Sequence, residues 1–289
     1  MPKTSNVIKN IQDNYSRLSK GQKVIAEYVI NHYDKAAFLT AASLGKILNV
    51  SESTVVRFAN ALNYSGYKDL QRELQEIIRN KLTTVQRLNL SEDYNKNENT
   101  IAKVMEKDIE NMRKTLNEVD YDSFFKAVDY TLKAKKIFIL GLRSSSFLSG
   151  YLAFYMNFIF DNIHVVTPGA NDIFEQLTKA NKDDIVICLT YPRYSQRTLE
   201  ALDYTRTKGC KVISFTDSLI SPAAGKSDVT IIARSDMLSY VDSLVAPMSL
   251  INAFIIALGN EKKEDITPYF EELEYVWKTY SVYNENNNS

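Results

Sequence analysis

Two short segments of the sequence combine hydroxyl groups with arginine side chains in a way that suits an anion. One is GLRSSSF at residues 141–147, and the other is TYPRYSQRTLE at residues 190–200. Each follows an apolar, β-rich run and leads into a segment with helical periodicity. Hydroxyls, guanidinium groups and free backbone N–H groups at a helix N-terminus bind anions. A phosphate fits better than a carboxylate, because several donors converge and phosphate offers three acceptor oxygens.

We expect these two segments to form one binding site. In an open parallel sheet the ligand lies beyond the carboxyl ends of the strands, where the strand order reverses. If residues 136–141 form the first strand and residues 184–190 the third, an order 2-1-3-4-5 places their exit loops side by side. The alternative is that the hydroxyls only cap helices. The expected anion-binding residues are Arg143, Ser144, Ser145, Arg193, Ser195 and Thr198.

A third segment, SLGKILNVSESTVVRFANAL at residues 43–62, predicts two short helices with a tight connection. Gly45 would let the helices approach closely, Val50 is expected to be buried in the turn, and Ser51 is placed to cap the second helix. Apolar residues of the second helix share one face, which leaves a polar face outward. A helix-turn-helix presents such a face to the major groove of DNA.

The outward polar side chains of this segment could contact phosphates and base edges. Arg57 is the best candidate for a bidentate contact to a base. In the following loop, Lys68, Tyr64 and Tyr67 could add phosphate contacts. The alternative is a helical hairpin whose polar face is merely solvated. The predicted DNA-binding residues are Ser51, Ser53, Thr54, Arg57, Asn60 and Lys68.

Periodicity divides the chain into a helical part and an alternating α/β part. From residue 18 to about residue 79, apolar residues recur at three- and four-residue steps, which predicts helices. Further helices are expected near 101–119 and 123–135. The later apolar runs are covered on both faces, as in a parallel sheet. The fold class is therefore α/β: an all-α helix-turn-helix domain, then an αβα sandwich with a five-stranded parallel sheet in flavodoxin-like order. The expected strands are 136–141, 164–167, 184–190, 211–216 and 229–233.

Composition and charge fit a two-domain globular protein. The 289 residues are 45% hydrophobic and 24% charged, and the formal net charge is zero. Residues 1–80 nevertheless carry eleven basic and seven acidic side chains, so a polyanionic partner is expected at this end. We expect a helix-turn-helix domain at 1–80, a linker at 81–104 and an effector-binding domain at 105–289.

Residue content argues against several other classes of protein. The first residues lack the apolar core of a signal peptide, and the most apolar stretches are too short and interrupted to span a bilayer. Cys188 and Cys210 lie in apolar runs and are interpreted as buried thiols in a reducing compartment. His32 and His164 alone cannot form a metal cluster. We expect a cytoplasmic protein without metal, cofactor or membrane contact.

The N-terminal part resembles the helix-turn-helix domain of RpiR-type (MurR/RpiR) transcriptional regulators. The resemblance covers residues 18–74, although Gly45 stands where the family usually has Ala and Asn63 where it commonly has Gly. Neither change falls on the presumed DNA face. The residues that match the family pattern are Val50, Ser51, Thr54, Val55, Arg57, Phe58, Gly66, Tyr67, Asp69 and Leu70.

Residues from about 105 to 260 resemble the SIS (sugar isomerase) domain, the usual partner of RpiR-type helix-turn-helix domains. The SIS motif G-x-G-x-S maps onto 141–145, and the motif S-x-S-G-x-T-x-E retains Ser195, Thr198 and Glu200. The resemblance implies that Ser145, Ser195 and Thr198 bind the phosphate of a sugar or related metabolite.

The second half also departs from the SIS motifs. Arg143 replaces the second glycine of the first motif, and Gln196 replaces the glycine of the second. The tripeptide Pro192-Arg193-Tyr194 lengthens the second loop. Our hypothesis is that Arg143 and Arg193 determine which effector is accepted, because guanidinium groups could bind a second anionic group or narrow the site.

The sequence therefore predicts a DNA-binding transcription regulator that senses a phosphorylated metabolite. We expect a homodimer or homotetramer on a palindromic operator, with the apolar helices around 151–160 and 244–258 supplying the self-association surface. One alternative is a sugar-phosphate isomerase with Glu200 or His164 as the base. Another is a metabolite-binding adaptor that does not contact DNA. The attached DNA-binding module favours sensing, and no catalytic residue is predicted.

Overall fold

The chain folds into two units, which are described separately. Residues 1–89 belong to the first unit and residues 90–289 to the second. The computed structural model of the protein describes residues 7–81, 83–89 and 99–283.

The segment expected to be a linker contains helical structure at both of its ends. Within residues 81–104, one helix occupies Thr84–Asn89 and another begins at Thr100. Residues 90–98, in the middle of the expected linker, lie outside the described residues.

The first unit consists of helices as far as it is described. Apolar side chains at three- and four-residue spacing face a common core, in which Ile25, Leu44, Val55 and Phe58 are fully buried. The helices are α1 (Val7–Asn14), α2 (Lys20–Asn31), α3 (Tyr33–Ala36), α4 (Ala41–Leu48), α5 (Glu52–Ala61), α6 (Tyr67–Lys81) and α7 (Thr84–Asn89).

A five-stranded parallel sheet with helices on both faces forms the second unit. Its strands are β1 (Ile137–Leu140), β2 (Ile163–Val166), β3 (Ile185–Leu189), β4 (Lys211–Thr216) and β5 (Val229–Ile232). The helices are α8 (Thr100–Glu118), α9 (Tyr121–Lys133), α10 (Ser145–Met156), α11 (Ile173–Leu177), α12 (Gln196–Thr207), α13 (Val245–Glu261) and α14 (Lys263–Thr279).

The strand order is β2-β1-β3-β4-β5, and every neighbouring pair is parallel. The predicted fold class, strand number and order are thereby confirmed. The order reverses between β1 and β3, where Leu140 lies opposite Cys188. The loops that leave these two strands therefore start at the same edge of the sheet, at the topological switch point.

Consecutive apolar residues in β1 supply two separate cores. Ile137 and Ile139 pack into the core on one face of the sheet, whereas Phe138 and Leu140 pack into the core on the other. Side chains alternate across a strand, so a strand covered on both faces needs apolar residues at every position. This explains why the run predicted a buried strand.

Both cysteines of the chain lie in the second unit. Cys188 and Cys210 are free thiols and both are buried. Burial raises the pKa of Cys188 to about 12 and that of Cys210 to about 11.

Among the described residues, no helix combines the length and the apolar character that crossing a membrane requires.

Candidate functional sites

The connection between α4 and α5 is a tight turn that depends on a glycine. Asn49 ends α4 in the left-handed conformation with φ 53°, and the Val50 N–H donates to the Gly45 carbonyl at 2.9 Å. A Cβ on Gly45 would lie only 2.8 Å from the Val50 carbonyl oxygen. Gly45 thus makes room for the turn itself. Val50, for which burial was expected, is only half-buried, since it packs against the core from the surface.

Three hydroxyl groups gather at the N-terminus of α5. The Ser51 Oγ accepts a hydrogen bond from the Thr54 backbone N–H at 3.2 Å, so Ser51 caps the helix as expected. The same oxygen lies 2.9 Å from the Ser53 Oγ and 2.8 Å from the Thr54 Oγ1. These hydroxyls form one polar cluster at the end of the helix that a helix-turn-helix directs into the groove.

The outward face of α5 carries most of the predicted DNA-binding residues. Ser53, Arg57 and Asn60 are exposed, and Thr54 is half-buried. The Arg57 side chain lies back along the helix, where its Nε donates to the Ser53 carbonyl at 3.3 Å and its Nη2 to the Thr54 Oγ1 at 3.4 Å. Lys68 is also exposed, near the start of α6.

The two tyrosines near Lys68 both have partners within their own unit; the phosphate contact expected from Tyr67 is wrong, and the one expected from Tyr64 stays a prediction. Tyr67 is buried and its hydroxyl donates to the Ala36 carbonyl at 3.1 Å, while burial raises its pKa to about 12. The Tyr64 hydroxyl donates to the Glu73 carboxylate. Both hydroxyls instead hold α6 in place, because each already has a partner inside its own unit.

The N-terminus of α2 lies beside that of α5, which the sequence did not suggest. Ser19 and Gln22 form a capping box at the start of α2. A Cβ on Gly21 would lie 3.3 Å from the Thr54 Cγ2, so the two helix starts are in close contact. The exposed Lys20 is therefore a further candidate for a phosphate contact. The S-x-x-Q capping pattern was the available signal, but it does not reveal which helix lies nearby.

In the second unit, the loop between β1 and α10 leads into a helix whose N-terminus is not capped by a side chain of the described residues. Within the described residues, no side chain caps α10, and Ser144 at the capping position makes no such bond. Ser145 is buried behind it, and the Ser146 Oγ donates to the Arg143 carbonyl at 2.6 Å. A Cβ on Gly141 would lie 2.6 Å from the Ser145 carbonyl oxygen, so this close turn requires glycine. Capping alone does not account for these serines.

The start of α12 differs, because a serine caps it. The Ser195 Oγ accepts a hydrogen bond from the Thr198 N–H at 3.4 Å, which is a long bond, and Thr198 is buried. At this helix the capping interpretation holds for Ser195. A weak cap does not compete strongly with an anion, because the same helix start still directs further N–H groups outward.

Arg143 and Arg193 share an unusual backbone conformation. Their φ angles are 58° and 61°, in the left-handed region that favours glycine, and both side chains are exposed. Such residues cost about 1 kcal/mol or more and concentrate at functional sites. Arg143 occupies the position of a motif glycine, so the loop keeps a turn that suits glycine while it presents a guanidinium group.

Polar residues behind the second loop hold it against the sheet. The Tyr194 hydroxyl donates to the Asp217 Oδ1 at 2.6 Å, and Asp217 is a buried residue directly after β4. The Tyr191 hydroxyl is buried without a hydrogen-bond partner among the described residues, and burial raises its pKa well above the ordinary value. Sequence reasoning missed Asp217, although its place at the end of a parallel strand was a usable signal.

The two candidate bases of the isomerase alternative are both exposed and lie apart from the two helix starts. Glu200 is exposed and accepts a hydrogen bond from the Gln196 side chain at 3.1 Å. His164 is exposed on the edge strand β2, where it stacks on Phe138 with ring centroids 5.2 Å apart. His164 pairs with Phe138, the second residue of β1, so it lies two residues before the carboxyl end of β2, at the edge of the sheet from which the loops extend.

The two units define a class of protein, in which a helix-turn-helix is joined to a doubly wound α/β domain. Sequence models of two families match these units. The helix-turn-helix domain of the rpiR family matches residues 5–81, and the SIS domain matches residues 131–257. The chain belongs to the rpiR family of HTH-type transcriptional regulators and carries a SIS domain, which confirms both resemblances.

Curated relatives align with this chain over most of their length. HexR of Escherichia coli (strain K12) is 28% identical over 216 residues, which cover 74% of this chain and 73% of HexR. HexR of Pseudomonas aeruginosa is 22% identical over 275 residues, which cover 93% of this chain and 94% of HexR. Both are named HTH-type transcriptional regulators.

Solved structures share the fold at low sequence identity. The sugar isomerase domain of an RpiR transcription factor from Sphaerobacter thermophilus is 22% identical with a TM-score of 0.59, covering 62% of this chain and 99% of that domain. The Vibrio vulnificus NanR protein complexed with ManNAc-6P is 18% identical with a TM-score of 0.57. That match covers 95% of this chain and 98% of NanR.

Proposed function

We propose that this regulator binds a DNA operator through α5 and that a phosphorylated sugar or related metabolite modulates this binding from the SIS domain. The observation that carries the effector half is the uncapped start of α10 beside the loop of α12, at the switch point of the sheet. A phosphate would supply the missing cap, because a helix N-terminus favours negative charge and its N–H groups need acceptors. The solved complex of NanR with ManNAc-6P supports this class of ligand.

The effector site that we propose combines hydroxyls with arginines. Ser144 and Ser145 would bind the phosphate from the first loop, and Ser195 and Thr198 from the second. Arg143 and Arg193 would lie at the rim, where they would select among metabolites by the charge of the rest of the ligand. In our proposal this site binds and does not catalyse, because Glu200 accepts a hydrogen bond from Gln196 and His164 lies within the edge strand β2 and not in either loop of the site.

On the DNA side, we propose that α5 enters the major groove. Arg57 would contact a base edge, and Ser53 and Asn60 would contact base edges or phosphates. Ser51, Thr54 and Lys68 would bind the backbone, and Lys20 joins them because α2 starts beside α5. Phosphate contacts position the helix, whereas base contacts determine which sequence is bound.

Effector and operator would be coupled through the assembly. A homodimer or homotetramer would present paired recognition helices to half-sites one DNA turn apart in a palindromic operator. The effector can change DNA affinity only to the extent that it binds the DNA-competent arrangement differently from the other. Because the operator is chromosomal, the protein would act in the cytoplasm.

The DNA-binding half is tested by selection from genomic DNA. Sheared DNA from the source organism would be incubated with the full-length protein, with Arg57→Ala and with Arg206→Ala, and the retained fragments sequenced at two salt concentrations. Arg206 is an exposed arginine of the second unit, so its replacement removes the same charge away from α5. We expect a few enriched, roughly palindromic sites with the wild type and with Arg206→Ala, but not with Arg57→Ala.

Either result of this selection is informative about the proposal. Loss of the sites in Arg57→Ala alone supports base recognition by α5. If the folded wild-type protein retains no specific site, with or without sugar phosphates, the operator-binding function is wrong. The adaptor alternative would then be pursued by testing whether α5 contacts a protein.

A further inference from the structure

Helix α8 packs against its own domain through its polar face. Asn111 is fully buried, and its Nδ2 donates to the Asp236 carbonyl at 2.9 Å while the Asp236 N–H donates back to its Oδ1 at 3.2 Å. One turn later, the Thr115 Oγ1 accepts a hydrogen bond from the Arg234 N–H at 2.8 Å. The loop after β5 is therefore bound to α8 by paired polar contacts, which fix how the helix is rotated about its axis.

Ion pairs complete this polar contact. Lys114 and Lys107 lie 3.2 and 3.6 Å from the Asp236 carboxylate, and both also pair with Glu110. Hydrogen bonds from the two lysines lower the pKa of Glu110. The charged groups on this side of α8 thus have partners within the domain.

The apolar residues of α8 face away from the domain. Ile101 and Leu116, at the two ends of a row of five apolar residues, are 76% and 68% exposed, and the other three residues of the row are exposed as well. Apolar rows on a helix normally face a core, so this helix is packed with the usual pattern reversed. The row, which we call the α8 stripe, consists of Ile101, Met105, Ile109, Met112 and Leu116.

The α8 stripe is complementary to itself when a second copy runs in the opposite direction. Side chains four, four, three and four residues apart lie on one face of a helix. In an antiparallel pair centred between residues 108 and 109, Ile101 lies opposite Leu116, Met105 lies opposite Met112, and the two copies of Ile109 meet near the axis. Each apolar residue then has an apolar partner along the whole stripe.

The charges beside the stripe favour the same arrangement. Glu106 and Arg113 are both exposed, and their seven-residue spacing places them along the same edge of the stripe. In the antiparallel pair, Arg113 of each copy lies beside Glu106 of the other. In a parallel pair the two would be offset by seven residues, or about 10 Å along the axis.

We propose that α8 of one copy packs antiparallel on α8 of a second copy and forms a two-fold interface of the assembled regulator. This inference rests on the homo-oligomer of the proposed function and names a surface for it. The partner is a second copy of this chain, because the apolar spacing is self-complementary about an axis between residues 108 and 109, and the edge charges are self-complementary about a point one residue further along the helix. Polar contacts to the loop after β5 orient the stripe outward and so prepare it for the partner.

Cysteine trapping tests the register. Ile109→Cys places a thiol near the proposed axis, and Asn117→Cys places one on an exposed part of α8 away from the stripe. Background reaction of the native thiols is expected to be slow, because Cys188 and Cys210 are buried with pKa values of about 12 and about 11. We expect mild oxidation of the full-length protein to give a covalent dimer with Ile109→Cys and not with Asn117→Cys.

Mixed variants test the direction of the pair. Met105→Cys and Met112→Cys should each cross-link poorly alone, since identical residues are about 10 Å apart in the antiparallel pair. Mixed in equal amounts, they should form a disulfide-linked heterodimer. Efficient cross-linking of Met105→Cys with itself would indicate a parallel pair and overturn the proposal.

Charge exchange gives a second, reversible measurement. Glu106→Arg should weaken the dimer, measured by sedimentation at several concentrations, by roughly threefold or more, because each copy then brings like charges together. The double variant Glu106→Arg/Arg113→Glu should restore the wild-type association. Failure of the double variant to restore it counts against the pairing.

The controls separate this proposal from the proposed function. If the wild type is a monomer, with its stripe covered by its own helix-turn-helix unit, the proposal fails together with the homo-oligomer. If it is a dimer that neither traps at Ile109→Cys nor dissociates in Met105→Glu/Met112→Glu, only the α8 interface is wrong. Operator selection with the wild type and with Asn117→Cys reports DNA binding by proteins whose α8 stripe is intact, and the thermal melting temperature confirms that each variant is folded.

Discussion

At the scale of single residues, backbone geometry explains why certain positions require glycine, which the sequence alone does not show. Gly45 and Gly141 lie where a Cβ would approach a carbonyl oxygen to 2.8 and 2.6 Å. Arg143 and Arg193 show the converse, since they occupy left-handed conformations although a side chain is present. Both effects are local, so each can be measured by one substitution.

Gly45→Ala is expected to destabilise the protein by about 1–2 kcal/mol. A methyl group would press on the backbone of the turn, which cannot move as a flexible side chain does, and this outweighs the gain of about 1 kcal/mol in helix propensity. Gly150→Ala serves as the control, because Gly150 also lies inside a helix and nothing lies within 4 Å of a Cβ there. Urea unfolding of both variants checks the difference, and equal stability would show that the turn relaxes freely.

Arg143→Gly and Arg143→Ala separate backbone strain from charge. Both remove the guanidinium group, but only glycine removes the cost of the left-handed conformation, so Arg143→Gly should be more stable by about 1 kcal/mol. Both should change which sugar phosphates raise the melting temperature. A ligand profile identical to that of the wild type in both variants would show that Arg143 does not select the effector.

At the scale of secondary structure, α5 depends on its cap. Ser51→Ala removes the bond to the Thr54 N–H and should cost about 1 kcal/mol of the free energy of unfolding. Ser53→Ala removes a neighbouring hydroxyl that does not cap the helix, and it should change stability by less than about 0.5 kcal/mol. Chemical unfolding distinguishes the two. A similar loss in both would assign the stabilisation to the hydroxyl cluster as a whole.

The elements that the sequence predicted well are those with a strong apolar period. Five strands and their order followed from apolar runs and the rules of parallel sheets, and α5 followed from its inward face. The short helices α7 and α11 were missed, because five or six residues are too few to show a helical period, and α1 lies before residue 18, where the predicted helical region begins. The apolar helix expected around 244–258 spans Val245–Glu261.

Side-chain direction and backbone strain were harder to foresee. Tyr67 is the first residue of α6, so its orientation depends on how α6 packs on α3 and not on a pattern within the helix. Nothing in the sequence around Arg193 indicates its left-handed conformation. At Arg143 the comparison with a motif glycine was the only indication. The candidate site could therefore be located from the sequence, but its strained positions could not.

At the scale of the whole molecule, a substitution that abolishes the function of one unit should leave the function of the other intact. Arg57→Glu places a negative charge on the DNA-facing side of α5 and should abolish operator binding in an electrophoretic mobility assay. The rise in melting temperature caused by an effector should persist, because the substituted residue is exposed in a unit that does not contain the proposed effector site. Loss of both responses would show that the units are not separable.

The conformation of Arg143 and Arg193 also has a consequence for how such regulators diverge. A position that prefers glycine on backbone grounds can gain or lose a guanidinium group at a cost of about 1 kcal/mol, and the loss brings relief of strain. The strands and helices around it need not change. If these two arginines select the effector, as we propose, single exchanges at these positions can change effector preference while the scaffold stays folded.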